Sequence, residues 1–298
     1  MVRLRIALAQ INSTVGDLPG NAQKILDAAR RAASRQAELV IFPELALTGY
    51  PPRDLVEKES FLDRIEQELA GLADATRDLG LTIICGFVGR SHGELGKSVS
   101  NSAAVLEQGK VAFRQDKMLL PTYDVFDEAR YFVPAEQQSV FFLRGQPVAI
   151  TVCEDAWNSS DLVDRRLYHR DPVAELVQAG GQVLVSINAS PFHLHKRERR
   201  RSFFQAVARR HRVPLIYVNL VGGNDQLIFD GSSFALNSDG EVIASAASFS
   251  EDLVLVDLGS GRGDHNDTFP DECEAAYEAL VLGCRDYIRK CGFSKVII

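Results

Sequence analysis

The feature that most constrains the fold of this chain is the alternation of short β-branched apolar runs with longer segments of helical periodicity. The strand-like runs cover residues 4–11, 38–42, 81–88, 147–152, 183–187 and 215–220. Apolar residues at helical spacing predict helices over 21–36, 60–79, 171–179, 198–211 and 271–290. Residues 100–111 and 231–244, with turns near Gln108-Gly109 and Asp239-Gly240, are typical of hairpins. This mixture predicts an α/β protein whose sheets are covered by helices.

Composition narrows the class of protein. Hydrophobic residues make up 46% of the 298 residues, which is enough for a substantial core. The formal net charge of -7 leaves no basic footprint, so we expect no nucleic-acid partner. No apolar run approaches ~18 residues. The N-terminus also lacks the apolar stretch and cleavage site of a secretion signal, so we expect no membrane association.

The cysteines and histidines suggest neither disulfides nor a metal. Five cysteines are odd in number and show no CxxC spacing, which argues against a disulfide framework and against a zinc site. The six histidines form no HExxH pattern, so we expect no metal. This cysteine usage predicts a reducing, cytoplasmic location.

The composition changes near residue 259. Residues 259–267, GSGRGDHND, combine three glycines with polar side chains, as linkers do. We therefore expect a domain over 1–258, a linker over 259–270 and a separate segment over 271–298. The last segment, a helical pattern followed by SKVII, predicts the first helix and strand of a second domain.

Ionisable residues follow the strand-like runs in four segments, at the place where α/β sheets commonly build sites. Glu44 lies in FPEL, Lys117 and Glu128 lie in DKMLLPTYDVFDEARYF, and Cys153 lies in AITVCEDAW. The fourth segment is INASPFHLHK, residues 187–196. Each alone also fits a structural role, since turn acids, solvated lysines and inert buried cysteines are common.

Cys153 is followed at once by two acidic residues, which is an unfavourable setting for a thiolate. A base that removes the thiol proton during attack would make a preformed thiolate unnecessary. Glu44 is a candidate for that base, and Lys117 could stabilise an oxyanion. These three residue types together can hydrolyse an amide.

Taken together and in this order, FPEL, DKMLLPTY and TVCED resemble the nitrilase or carbon-nitrogen hydrolase superfamily over about residues 3–258. The resemblance implies a four-layer α-β-β-α sandwich and a catalytic trio of Glu44, Lys117 and Cys153. It further implies that Glu128 positions the lysine or the attacking water. Sheets of this superfamily pair face to face across a two-fold axis, so a homo-oligomer is also implied.

Within that superfamily, LTGYPPRDL, LPTYDVFDEARYF and CEDAW resemble the glutaminase domains of glutamine-dependent NAD synthetases. That resemblance implies glutamine as the substrate. It places contacts to the amino-acid end of glutamine at Tyr50, Tyr123, Glu154, Trp157, Ser190 and Lys196. Glu154 suits the ammonium group and Lys196 suits the carboxylate. His195 stands where glycine is frequent in this branch, which is a departure in the 190–196 loop.

The end of the chain, ALVLGCRDYIRKCGFSKVII, resembles the opening helix and strand of the synthetase domain of those enzymes. There the family continues into an SGGxDS pyrophosphate loop, and these 298 residues contain neither that sequence nor a G-x-x-x-x-G-K-[ST] loop. The resemblance therefore implies that ATP and magnesium act in a synthetase domain on the same polypeptide. For this chain itself we expect no cofactor.

Three alternatives stay open at the level of sequence. One is a stand-alone carbon-nitrogen hydrolase that acts on an ω-amide, a carbamoyl compound or a nitrile. Another is a non-enzymatic interaction module with the same fold. The third is a papain-like pair of Cys153 and His193, which would leave Glu44 and Lys117 unexplained.

Overall fold

The computed structural model describes residues 3–91, 97–158, 167–267 and 270–297. The first half contains β1 (Arg5–Gln10), α1 (Leu18–Ser34), β2 (Leu39–Ile41), α2 (Glu59–Ala75), β3 (Thr82–Arg90), β4 (Val99–Glu107), β5 (Lys110–Asp116), α3 (Glu128–Tyr131), β6 (Phe141–Leu143) and β7 (Gln146–Val152). The second half contains α4 (Pro172–Gln178), β8 (Val183–Asn188), α5 (Lys196–His211), β9 (Leu215–Asn219), β10 (Val221–Asn224), β11 (Leu227–Asp230), β12 (Phe234–Leu236), β13 (Val242–Ser245), β14 (Asp252–Asp257), β15 (Arg262–Gly263) and α6 (Glu272–Lys290).

The strands form two large sheets and a small ribbon. The first sheet has seven strands in the order β15-β14-β1-β2-β3-β4-β5, and the second has six in the order β13-β12-β9-β8-β7-β6. Strands β1, β2 and β3 run parallel, as do β7, β8 and β9. The carboxyl ends of these parallel strands carry the segments that hold Glu44, Cys153 and the 187–196 loop.

The sheets pack face to face and each has helices on its outer side. Along β1, Ile6 and Leu8 point into the core between the sheets, where they share a cluster with Ile150 of β7. Ala7 and Ala9 point the other way, into a cluster that includes side chains of α1 and α2. The outer face of the second sheet packs against α4 and α5. This arrangement confirms the predicted four-layer α-β-β-α sandwich.

The strands, helices and hairpins predicted within residues 4–290 are present, with shifts at their ends that have local causes. Helix α1 begins at Leu18 rather than at residue 21, because the Asp17 side chain caps it by accepting from the Gly20 N–H at 3.1 Å. Helix α2 ends at Ala75 and continues only as a short 3-10 turn at 77–79. The β4–β5 hairpin turns at Gln108 and Gly109, both with positive φ, as predicted.

The last part of the chain lies against the sandwich. Helix α6 packs on β10 and β11. Asp286 of α6 accepts hydrogen bonds from the Gly223 N–H at 2.8 Å and from Asn12 Nδ2 at 2.6 Å. Lys290 donates to main-chain oxygens of the same region, and so fixes the end of the helix. Helix α6 is therefore packed against the sandwich and hydrogen-bonded to it.

Two sequence expectations for the C-terminal region differ from the structure. The predicted strand at SKVII is wrong for residues 294–297, which form no strand because no neighbouring strand pairs with them there. Residues 259–267, expected as linker, are tied to the first sheet. Strand β15 pairs with β14, and the Asp264 N–H donates to Leu255 O at 2.9 Å.

Candidate active site

Glu44 lies in the turn after β2, and its side chain is completely buried. The turn packs on β3 at Gly86, where an added Cβ would lie 2.1 Å from the main chain of the turn. Only glycine permits this approach. Glu44 Oε1 accepts hydrogen bonds from Lys117 Nζ and Asn101 Nδ2, both at 2.7 Å. Oε2 accepts from the Ala189 N–H at 2.8 Å, so both oxygens of the carboxylate are fixed.

Lys117 follows β5 directly and is also completely buried. Its ammonium group donates to Glu44 Oε1 at 2.7 Å and to Glu128 Oε1 at 2.8 Å. Burial alone would lower its pKa, but the carboxylates of Glu128 and Glu44 raise the pKa well above the usual value of a lysine. Lys117 is therefore a fixed positive charge.

Glu128 begins α3 and supplies the second carboxylate of this cluster. Its Oε1 accepts from the Tyr50 hydroxyl at 2.9 Å as well as from Lys117, and its Oε2 accepts from Asn101 Nδ2 at 3.4 Å. Burial raises the pKa of Glu128 to about 7, although Lys117 opposes that shift. Two carboxylates around one ammonium group leave an excess of negative charge, so the cluster can take up a proton near neutral pH.

Cys153 follows β7 and opens a short 3-10 helix over Cys153–Ala156. Its φ is +46°, a left-handed conformation that is unfavourable for a residue with a Cβ and is often found at functional sites. Burial, followed by the negative charge of Glu44, raises the pKa of the thiol well above its usual value, whereas Lys117 lowers it. The resting thiol is protonated at neutral pH, and it needs a base to become a nucleophile.

A cavity of about 330 Å³ opens at Cys153. Its wall includes Glu154, which is 6% exposed. The Tyr123 hydroxyl lies 3.0 and 2.9 Å from the two carboxylate oxygens of Glu154, and the Tyr168 hydroxyl also hydrogen-bonds this carboxylate. Burial raises the pKa of Glu154, while Lys117 and the two tyrosines lower it. Glu154 thus presents to the cavity a carboxylate that already accepts hydrogen bonds from two tyrosine hydroxyls.

Lys196, at the start of α5, lines the same cavity. Burial, followed by the positive charge of Arg200, lowers its pKa to about 8. Ser190 lines the cavity too, and its peptide is held in place by Asn219, which accepts from the Ser190 N–H at 2.9 Å and donates to its carbonyl oxygen at 3.2 Å. The cavity therefore presents a basic group and an acidic group on a rigid wall.

Trp157 forms an apolar part of this wall. Its ring stacks on Phe203 of α5 with centroids 4.9 Å apart and an interplanar angle of 20°. It also meets the edge of Phe204 at 5.1 Å. These contacts fix the indole ring beside Cys153.

The geometry of this site can be compared with known proteins. A family model described as carbon-nitrogen hydrolase matches residues 5–263. The chain belongs to the carbon-nitrogen hydrolase family. It is 44% identical to the glutamine-dependent NAD(+) synthetase of Synechocystis sp., over 98% of this chain and 54% of that protein.

Solved structures agree with this assignment. The glutamine-dependent NAD+ synthetase of Acinetobacter baumannii, in complex with ADP, is 33% identical with a TM-score of 0.86, over 99% of this chain and 54% of that one. An amidase from Nesterenkonia sp. is 25% identical with a TM-score of 0.72, over 86% of this chain and 90% of that one. This carbon-nitrogen hydrolase thus spans about half the length of its synthetase relatives.

Most of the side chains singled out in the sequence meet at this site. Glu44, Lys117 and Glu128 form one hydrogen-bonded cluster, and the charges of Glu44 and Lys117 shift the pKa of the Cys153 thiol in opposite directions. The residues expected to contact the substrate that line the cavity are Tyr123, Glu154, Trp157, Ser190 and Lys196. Tyr50 instead donates a hydrogen bond to Glu128 and lines a separate cavity of about 290 Å³. Its contact with the substrate therefore stays a prediction.

His193 also lines the cavity at Cys153. Its Nδ1 lies 2.9 Å from the Leu194 carbonyl oxygen, and the charged groups that affect the pKa of the Cys153 thiol most are Glu44 and Lys117. The pairing of Cys153 with His193 stays an alternative from the sequence.

Three polar residues at the site were missed by the sequence reasoning. Asn101 joins Glu44 to Glu128, and Tyr168 reaches Glu154. Asp155 accepts hydrogen bonds from main-chain groups next to both Lys117 and Cys153. The run Ser100–Ser102 inside an otherwise apolar strand was the available signal for Asn101, because polar residues on a buried strand need partners.

In residues 3–91, 97–158, 167–267 and 270–297, no cluster of histidine, cysteine and acidic side chains has the arrangement of a metal site. Over the same ranges, the helices are all too short or too polar to cross a bilayer.

Proposed function

We propose that this chain is the glutamine-hydrolysing part of a glutamine-dependent NAD synthetase and releases ammonia from glutamine through a thioester on Cys153. The observations that carry the proposal are the buried ion pair of Glu44 and Lys117, whose charges shift the pKa of the Cys153 thiol, and the cavity at Cys153 that is lined by Glu154 and Lys196. The relatives from Synechocystis sp. and Acinetobacter baumannii are glutamine-dependent NAD synthetases, which supports glutamine as the substrate and NAD synthesis as the process.

In the first half-reaction, Glu44 takes the thiol proton and the sulfur of Cys153 attacks the side-chain amide carbon of glutamine. The carbonyl π electrons move to oxygen, and Lys117 with the main-chain N–H after Cys153 stabilises the resulting oxyanion. The oxyanion then collapses, the C–N bond breaks, and Glu44 returns its proton to the departing ammonia. The product is a glutamyl thioester on Cys153.

In the second half-reaction, Glu44 removes a proton from water, and the water oxygen attacks the thioester carbon. The C–S bond breaks, the sulfur recovers a proton from Glu44, and glutamate leaves. The same carboxylate serves twice as base and twice as acid in one cycle. The raised pKa of the Cys153 thiol suits this cycle, because the proton must be transferred at each step rather than lost in advance. Glu128 positions the Lys117 ammonium group that both half-reactions use.

Recognition of the amino-acid end of glutamine is assigned to the two charged groups of the cavity wall. The Glu154 carboxylate pairs with the substrate ammonium group, and Lys196 pairs with the substrate carboxylate. Binding of an anion beside Lys196 would raise its lowered pKa, so substrate and protonated lysine stabilise each other. Tyr123, Trp157 and Ser190 shape the space between them.

The remaining parts of the proposal concern the longer protein. The ammonia serves ATP-dependent amidation of deamido-NAD in a synthetase domain on the same polypeptide, in a cytoplasmic homo-oligomer. We retain the division into a hydrolase domain over 1–258, a connection over 259–270 and the opening of the synthetase domain over 271–298. The docking of α6 on β10 means that this opening segment is also part of the hydrolase surface.

The alternative of a stand-alone amidase is kept as a control for the test. The Nesterenkonia amidase, at 25% identity, represents it, but the 44% identity to a glutamine-dependent NAD(+) synthetase favours the glutaminase. Ammonia release from a panel of glutamine, asparagine, simple aliphatic amides, carbamoyl compounds and nitriles separates the two. Strong preference for glutamine, lost in Glu154→Ala, supports the glutaminase. Equal or better turnover of simple amides, unaffected by that substitution, supports the amidase and contradicts the proposal.

A further inference from the structure

Asp155 is a buried aspartate that none of the steps above uses. It is 3% exposed, and its carboxylate accepts three main-chain hydrogen bonds. Oδ1 accepts from the N–H groups of Met118 at 3.0 Å and Leu119 at 2.7 Å, and Oδ2 accepts from the N–H of Val152 at 3.2 Å. Asp155 does not line the cavity at Cys153.

These donors come from the two segments that carry the reacting groups. Met118 directly follows Lys117 at the end of β5, which belongs to the first sheet. Val152 directly precedes Cys153 at the end of β7, which belongs to the second sheet. A single carboxylate therefore joins the ends of two strands from different sheets, one residue away from the ammonium-bearing and thiol-bearing residues.

The conformation of Cys153 makes this connection more important. Its φ of +46° is held against an intrinsic preference for negative φ, and such a conformation persists only where the surroundings enforce it. The hydrogen bond to the Val152 N–H fixes the Thr151–Val152 peptide, one residue before the strained Cys153. Without that bond, the turn can relax toward ordinary backbone angles and move the sulfur.

We propose that Asp155 is a positioning residue that holds Lys117 and Cys153 at the separation needed for attack on the amide, by binding the main chain next to both. The proposal rests on the proposed function for its substrate, glutamine. A purely structural aspartate would contribute to folding alone. A positioning aspartate sets the reactivity of Cys153 in a protein that remains folded.

Two substitutions distinguish the hydrogen bonds of Asp155 to Met118 and Leu119 from its hydrogen bond to Val152. In Asp155→Asn, Oδ1 can still accept from Met118 and Leu119, but the amide NH₂ group faces the Val152 N–H and cannot accept from it. This variant keeps the hydrogen bonds to the main chain that follows Lys117, and it loses the hydrogen bond to Val152, which precedes Cys153. Asp155→Ala loses both. Asp252→Ala is the matched control, because Asp252 also accepts main-chain N–H groups, from Ala247 at 2.9 Å and Leu253 at 2.8 Å, and does not line the cavity.

The test measures turnover and thiol reactivity in the same variants. For ammonia release from glutamine we expect kcat to fall ~100-fold in Asp155→Ala and ~10-fold in Asp155→Asn, with KM changed less than about threefold, since the loss concerns the transition state. Alkylation of Cys153 by iodoacetamide is measured by peptide mass spectrometry. This reaction requires that the Cys153 sulfur is accessible and deprotonated, but it does not require that Lys117 is in place. We expect it to become ~10-fold faster, because a relaxed turn exposes the thiol and lessens the burial that raises its pKa.

Cys85 provides an internal control for folding. It lies in β3 with 0% exposure, and burial raises the pKa of its thiol to about 12, so it reacts only when the fold opens. We expect Cys85 to stay unmodified in both Asp155 variants. If Asp155→Ala also exposes Cys85, Asp155→Asn decides the matter. Wild-type kcat and a wild-type alkylation rate in a folded Asp155→Asn would overturn the proposal.

The two proposals fail in different ways. If the wild-type chain releases no ammonia from glutamine but Asp155→Asn still speeds alkylation of Cys153 with Cys85 protected, the substrate assignment is wrong and the positioning role stands. If the wild-type chain hydrolyses glutamine and both Asp155 variants match Asp252→Ala in every readout, the positioning role is wrong and the function stands.

Discussion

Two lysines of this carbon-nitrogen hydrolase are withdrawn from solvent, but their surroundings differ. Lys117 is completely buried between the carboxylates of Glu44 and Glu128, at 2.7 and 2.8 Å. Lys290, with its side chain 15% exposed, donates to three uncharged oxygens, of Ser13 (2.9 Å), Gly223 (3.0 Å) and Asn224 (2.9 Å), and the carboxylate of Asp286 lies further away, at 3.8 Å. Carboxylate partners raise the pKa of Lys117, whereas burial lowers the pKa of Lys290 to about 8.

The difference shows what each lysine does. A charge that must stabilise an oxyanion is held by full opposite charges, which keep it protonated and fixed through the reaction. The lysine that anchors α6 is held mainly by uncharged oxygens, with the Asp286 carboxylate as a more distant partner. The two are connected by a short series of contacts. Lys290 donates to Asn224, Asn224 Nδ2 donates to the Tyr50 carbonyl oxygen at 3.1 Å, and the Tyr50 hydroxyl donates to Glu128.

The largest effect is expected at Lys117. Lys117→Ala should lower kcat for glutamine hydrolysis ~100- to 1000-fold, because an oxyanion donor is lost, while the protein stays folded. Ammonia release and circular dichroism measure the two properties. Lys290→Ala is the control and should keep turnover within about tenfold. Wild-type turnover in Lys117→Ala would remove that lysine from the mechanism.

A smaller effect is expected at Glu128, whose pKa is raised to about 7. When pH falls through that value, protonation weakens the hold on Lys117, so kcat/KM should decline on the acid side of pH 7. Glu128→Gln keeps the neutral hydrogen bonds but loses the charge, and should lower kcat about tenfold, equivalent to ~1.4 kcal/mol. It should also shift the acid limb of the pH profile to lower pH. A profile identical to wild type would show that Glu128 does not position Lys117.

Lys290→Met tests the anchoring lysine. Loss of its hydrogen bonds leaves buried acceptors unpaired, at a cost of ~1–3 kcal/mol in the free energy of docking α6. Amide hydrogen exchange over Glu272–Lys290 should become faster, while exchange over β7 stays unchanged. Arg289→Met is the matched control, since Arg289 is an exposed neighbour on the same helix. Equal protection of α6 in both variants would contradict the anchoring role.

The smallest effect concerns the pH dependence of stability. The pKa of Lys290 is lowered from 10.5 to about 8 in the folded protein, so between these values the unfolded chain binds more protons. The free energy of unfolding should therefore rise with pH across that window because of Lys290. Denaturant titrations at pH 8 and pH 10 measure it as the difference between wild type and Lys290→Met. A difference that does not change with pH would contradict the lowered pKa.

The sandwich was predictable because its signals are periodic. The spacing of apolar residues predicts the strands and the covering helices, and the residue types at Gln108-Gly109 predict the turn. The trio of Glu44, Lys117 and Cys153 was found through short motifs at strand ends, where the resemblance to a family is concentrated. The structure then brings Glu44 and Lys117 into direct contact, 73 positions apart in the chain.

Residues that act through distant partners were not predictable in the same way. Asn101 lies between two serines and Asp155 follows Glu154, so the sequence shows polar residues at both places. Their partners Glu44 and Leu119 lie 57 and 36 positions away, and no local pattern identifies them. The docking of α6 was missed for a related reason. Asp286 and Lys290 belong to an amphipathic segment whose pattern is equally typical of the first helix of a new domain. Their hydrogen-bond partners on β10 come close only in the tertiary structure.

The most direct test of the central claim is covalent labelling of the chain with a glutamine-like diazo-ketone, followed by peptide mass spectrometry. The reagent is carried to the site by glutamine recognition and forms a thioether with the nucleophile as dinitrogen leaves. We expect one label per chain, on Cys153, with glutamine protecting against it and Lys117→Ala slowing it. Labelling of the exposed Cys273, Cys284 or Cys291 in place of Cys153, or labelling that glutamine does not prevent, would contradict a glutamine-hydrolysing site at Cys153.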